Sequence, residues 1–177
     1  MHFETAEYPD ESLGKVNPSG FVSPPGGKNG SSFHMLNDHS YCCQLSPEIC
    51  ASGQPDPTKE KECKEWHDKR IFLRAKDAKE LQVPFILTEF GACFDSDVCA
   101  TEITQVADAA DEIGAVGWAY WQFKLFKDLT TTAGTGSEGF YNNDGSLQHK
   151  KLKALTRPYF PLVQGKLLSQ AFNFTTG

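Results

Sequence analysis

The sequence predicts an α/β fold of parallel strands, on three observations. Short runs rich in β-branched and aromatic residues alternate with longer helical stretches, in the order strand, helix, strand, helix, strand, helix. The repeat is about 30 residues, the length of a βαβ unit. Polar and aromatic groups able to do chemistry fall at the C-terminal ends of those strands: His39 and Tyr41, then Glu89, then Trp121 and Gln122. A closed (β/α) barrel and an open doubly wound sheet both keep working residues there. The open sheet fits less well, because no strand end carries a glycine-rich phosphate loop. The one glycine run, in "TAGTGSEG", follows a Lys- and Thr-rich loop and opens no helix.

Each element has its own warrant. "NPSGFVSPPGGKNGSS" is rich in Gly, Pro and Ser and reads as a long surface loop. "SFHMLNDHSYC", from Ser32 to Cys42, follows it as a strand. A charged stretch from about Lys59 to Leu81 reads as a helix, and Pro84 separates it from the buried strand that starts with Phe85, Ile86 and Leu87. From Thr101, "TEITQVADAADEIG" places Ile103, Val106, Ala107, Ala110 and Ile113 on one helical face, and Gly114 stops it. "AVGWAYWQF", Ala115 to Phe123, is the third strand. Beyond "KDLTTTAGTGSEGFYNNDG", Leu147, Leu152 and Leu155 mark a final helix that ends before Pro158.

Composition narrows the partners. The 177 residues are 39% hydrophobic and 23% charged, enough to bury a core. A net charge of -6 argues against nucleic acid and anionic membrane surfaces, which reward clustered Lys and Arg. No run approaches the roughly 20 apolar residues of a transmembrane segment, and the first ten residues lack a signal-peptide pattern. The six cysteines, with glycosylation acceptors in form at Asn29 and Asn173, point to an extracellular or lysosomal protein of the secretory pathway. Cys42, Cys43, Cys50, Cys63 and His67 lie close in sequence, but no paired CxxC spacing supports zinc, so disulfides are expected and no metal or cofactor. Six cysteines allow 15 pairings; Cys93 with Cys99, closing a short loop, is the one favoured.

Glu89 is the residue that asks for an explanation. A carboxylate two residues past the core run "PFIL" needs a partner or a use. Taken singly, a strand-end Glu is more often a surface ion pair, His39 and Tyr41 a core pair, and Trp118 and Trp121 packing. Together they make a site. A carboxylate that works as a nucleophile must stay ionised, and a Tyr hydroxyl or His N–H on the neighbouring strand supplies it with donors.

The same residues carry a resemblance. "LTEFG" after a buried strand, with "HSY" on the strand before and "WAYW" on the strand after, resembles the last three strands of family 5 glycoside hydrolases. "PPGGKNGSSFHMLNDHSYC" and "LTRPYFPLVQGKLLSQAFNF" are most similar to the endoglycoceramidase and glycosylceramidase branch. The resemblance implies Glu89 as catalytic nucleophile, His39 and Tyr41 as its support, and Trp121, with Gln122 beside it, as substrate-binding. It implies a β-glycoside or glycolipid substrate, a glycosphingolipid above all, with peripheral lipid contact only through that substrate.

It also implies a missing part. The family's acid/base lies in an Asn-Glu pair on the fourth strand, and no such dipeptide occurs here. A whole barrel takes about 250 residues. Phe3 and Glu4 resemble the family's fifth strand, so the chain is expected to be the C-terminal half of an eight-stranded barrel, about strands 5 to 8. Residues 1–160 would form this partial catalytic domain and 161–177 the linker and first strand of a β-sandwich domain. Alone, it would hold a nucleophile and no acid. Two other classes stay open: a non-catalytic sugar-binding barrel remnant, and a cysteine-rich secreted structural domain.

Overall fold

The computed structural model describes residues 2–4, 18–27, 33–50, 55–91, 93–123, 138–142, 144–157 and 168–169. Three strands, β1 (His2–Glu4), β2 (Met35–Ser40) and β3 (Phe85–Phe90), form one sheet in that order, and both pairings are parallel. Three helices accompany them: α1 (Glu60–Leu81), α2 (Asp97–Glu112) and α3 (His149–Leu155). Parallel neighbours need a crossover, and α1 supplies it between β2 and β3. The arrangement is an arc of a (β/α) barrel.

The outer face of the sheet makes the core. Phe3, Leu36, Phe85, Leu87 and Phe90 are buried in one cluster with Ile71 of α1 and Ile103 and Val106 of α2. β2 is held to α1 by polar groups as well. Trp66 Nε1 donates to the Tyr41 carbonyl at 3.1 Å, Arg70 Nε to the His39 carbonyl at 2.6 Å, and Arg70 and Arg74 pair with Asp38 at 2.8 and 3.1 Å. Four helical residues rise about 6 Å and two strand residues about 6.6 Å, so side chains four apart on α1 meet alternate residues of β2 in step. Ser40 Oγ lies 2.7 Å from His67 Nδ1, whose Nε2 lies 3.3 Å from Glu102 of α2. These three are fully or nearly fully buried, so this Ser–His–Glu array is a sealed tie between strand and helices.

Three expectations change at their edges. α2 begins at Asp97, four residues before Thr101, because Ser96 caps it by accepting from the Cys99 N–H at 3.1 Å. Gly114, at φ 70°, ends it as expected. "AVGWAYWQF" is not a regular strand. It adds to the far side of β3 through single bridges, Leu87 with Trp118 and Gly91 with Trp121, and through bonds such as Val116 N–H to the Phe85 carbonyl at 2.9 Å. Leu147 lies outside the last helix, exposed and bridged to Tyr141.

Cys93–Cys99 is a disulfide, as favoured from sequence, and so is Cys42–Cys63, with Cα atoms 5.1 Å apart. The second bond removes two thiolates from any zinc set, and no metal-holding cluster occurs among the described residues. No helix among them is long and apolar enough to cross a membrane. The two disulfides are compatible with a secreted protein. Asn29, Asn173, most of the glycine run and nearly all of 161–177 lie outside the described residues, as does the expected domain boundary.

Candidate active site

Strict alternation along β3 would point Glu89 the same way as Phe85 and Leu87, into the helices. An irregularity in the strand prevents it. Asp38 pairs with Leu87, but the next residue, His39, pairs with Glu89, so β3 carries one extra residue, Thr88. The other side of β3 shows the same surplus: four steps from Leu87 to Gly91 face three from Trp118 to Trp121. Thr88 keeps the inner face, where its hydroxyl accepts from Asn37 at 2.7 Å, and the bulge swings Glu89 onto that face beside it. Phe90, next along, turns outward and is fully buried.

Glu89 now meets His39 of β2 and Tyr41 just past the end of that strand. Tyr41 donates its hydroxyl to Glu89 Oε2 at 3.2 Å, and His39 Nδ1 lies 3.4 Å from the same oxygen. The Glu89 side chain keeps 28% of its exposure, so it is held and still open to a ligand. Trp121 sits on the adjoining segment, its N–H bonded to the Phe90 carbonyl at 2.9 Å, and its indole is exposed. That indole donates to Glu138 Oε2 at 3.2 Å rather than to Glu89. Gln122 follows across a cis peptide; its main-chain N–H donates to the Glu138 carbonyl at 3.1 Å, and its buried amide nitrogen makes no hydrogen bond. Thus Glu89, His39 and Tyr41 converge directly, while Trp121 and Gln122 flank them from the next strand position.

Gly91 explains the end of "TEFG". Its φ is 103°, and a Cβ there would lie 2.0 Å from Tyr120 Cε2. Only glycine lets the chain turn there while that ring lies across it. Tyr120 in turn stacks on Phe140 with centroids 5.2 Å apart, bringing the 138–141 segment against Trp121.

The chain is similar to cellulose synthase subunit Z from Clostridioides difficile, with a TM-score of 0.50 and 19% identity over 70% of this chain and 41% of that one. The fold is that of a partial (β/α) barrel. An endoglucanase, at TM-score 0.48 and 20% identity over 68% and 38% of the two chains, gives a weaker match. So does Thermotoga maritima Cel5A, solved with cellobiose, at TM-score 0.48 and 18% identity over 75% and 41%. The chain spans about two fifths of the length of these proteins. No family model and no curated protein matches the sequence.

Two contacts escaped the sequence reading. Glu4, at the end of β1, places Oε1 3.1 Å from His39 Nε2. Its signal was a carboxylate at a strand end, directly after the buried Phe3. Glu138 holds the Trp121 indole, and nothing periodic marked it. A cleft of about 820 Å³ between α2 and α3 contains none of the site residues; it is a groove between helices on the outer face.

Proposed function

We propose that this chain carries the nucleophile side of the active site of a retaining β-glycosidase. The observation behind the reading is the convergence of a Tyr hydroxyl and an imidazole on one oxygen of Glu89, at the C-terminal edge of parallel strands. Glu89 attacks the anomeric carbon and forms a glycosyl ester while the aglycone leaves with a proton from a second carboxylate. Water then displaces Glu89, and two inversions retain the configuration. His39 and Tyr41 align the nucleophile, and Trp121, with Gln122 beside it, floors the reacting sugar's subsite.

No residue of this chain is assigned as the acid. By itself the chain therefore forms the glycosyl ester only from substrates whose leaving group departs unprotonated, and does not turn over natural ones. Residues 1–160 are the partial catalytic domain, and 161–177 open a β-sandwich domain. The motif likeness to the endoglycoceramidase and glycosylceramidase branch supports a glycosphingolipid substrate and an extracellular or lysosomal site of action. In the complete protein, Glu89→Gln keeps shape and hydrogen bonding but cannot form the ester. Hydrolysis of a glucosylceramide or oligosaccharyl-ceramide is expected to vanish while binding by calorimetry persists. Retained hydrolysis overturns Glu89 as nucleophile, and a β-glucan cleaved in place of both lipids overturns the substrate class.

A further inference from the structure

The nucleophile's imidazole partner is itself gripped from the far side. His39 Nδ1 faces Glu89 at 3.4 Å, and its Nε2 faces Glu4 at 3.1 Å. The register explains why. Phe3 pairs with Leu36 and is buried outward with it, so the next residue, Glu4, points to the inner face with its partner Asn37. One imidazole thus bridges strand-end carboxylates from β1 and β3, while Arg70 fixes its own backbone carbonyl at 2.6 Å. A singly protonated ring donates to one carboxylate at a time, whereas the doubly protonated ring donates to both. Glu4 therefore decides how the ring is turned and whether Nδ1, the nitrogen that faces Glu89, carries a proton to donate. It is a half-exposed charge at a strand end, with no packing duty to account for it.

We propose that Glu4 is a positioning residue for Glu89, acting through His39 on the rate at which the glycosyl ester forms. This rests on the reading of Glu89 as nucleophile. It concerns a residue that touches neither the anomeric carbon nor Glu89 itself. Glu4→Gln keeps an acceptor oxygen near Nε2 and loses the charge; Glu4→Ala loses both.

The test uses the full 177-residue chain and a dinitrophenyl β-glucoside fluorinated at the carbon next to the anomeric centre. Its leaving group needs no acid, and the fluorine slows release, so each nucleophile is labelled once. Intact-protein mass spectrometry follows labelling against probe concentration and separates the limiting rate from probe affinity. One charged hydrogen bond corresponds to about tenfold in rate. Glu4→Gln is expected to lower the limiting rate about that much, Glu4→Ala at least as much, with affinity and Tm unchanged and the His39 ring nitrogen resonances shifted. Labelling at the unaltered rate in both variants overturns the role of Glu4 and leaves Glu89 standing. A slowdown accompanied by equal losses of affinity and Tm makes Glu4 merely structural and also overturns it. Failure of the unaltered chain to label at all overturns the nucleophile and Glu4 together.

Discussion

Arg70→Met probes how the helix layer holds the site. The guanidinium is fully buried, donates to the His39 carbonyl at 2.6 Å and pairs with Asp38 at 2.8 Å. Hydrogen bonds involving charged groups are worth about 1.5 to 3 kcal/mol each, and breaking a buried pair about 3 to 5. Two effects pull the cost to the low end. Asp38 keeps Arg74 at 3.1 Å, so its charge is not stranded, and Arg70 Nη1 already lacks a partner, so its loss removes a standing penalty. Met fills most of the stem volume. The balance is a loss of about 3 kcal/mol, which for a domain of this size lowers Tm by about 6 to 12 °C. Arg70→Lys cannot reach both acceptors and falls between. Urea denaturation of the oxidised chain, with calorimetry beside it, measures both variants. A loss under about 1 kcal/mol for Arg70→Met would show that apolar packing alone seats β2, and the in-step grip of α1 would have to be given up.

Other outcomes follow from single contacts. Gly91→Ala sets a Cβ 2.0 Å from Tyr120 at a φ of 103°, so a loss of about 3 kcal/mol is expected, with changed near-ultraviolet dichroism from the displaced ring; a loss below about 1 would mean that the ring moves aside freely. Burial pushes the fully buried Lys151 ammonium down to about 8 from its ordinary 10.5, against the pull of Asp95 and Glu138. The unfolded chain then holds that proton more tightly, so the burial penalty is fully present below about pH 8 and fades as pH rises to about 10.5. Lys151→Met is expected to raise the urea midpoint more at about pH 7 than at about pH 10; equal shifts at the two pH values would contradict the assigned cause.

What the sequence revealed and what it hid have physical reasons. β2, α1 and β3 were legible because turn residues and Pro84 bracket them and their patterns are long. The buried side of α1 was not. It presents His67, Arg70, Arg74 and Asp77 inward, and a charged surface looks solvated until its partners on β2 are known. The extra residue in β3 was hidden too, since alternation alone would send Glu89 into the core; only pairing on both sides of the strand exposes Thr88 as the surplus. Glu89, His39 and Tyr41 were found as strand ends, a feature the one-dimensional order preserves. Glu138 reaches Trp121 from 17 residues further along the chain and leaves no such trace.

Covalent trapping asks the chain itself whether Glu89 is the nucleophile. The oxidised chain is incubated with the dinitrophenyl fluoroglucoside, digested, and sequenced by tandem mass spectrometry. One fluoroglucosyl adduct per chain is expected, borne by Glu89 in "PFILTEFGACF" and absent in Glu89→Gln. An adduct on another carboxylate, Glu4 included, or a folded chain that binds the sugar and is never labelled, would contradict it.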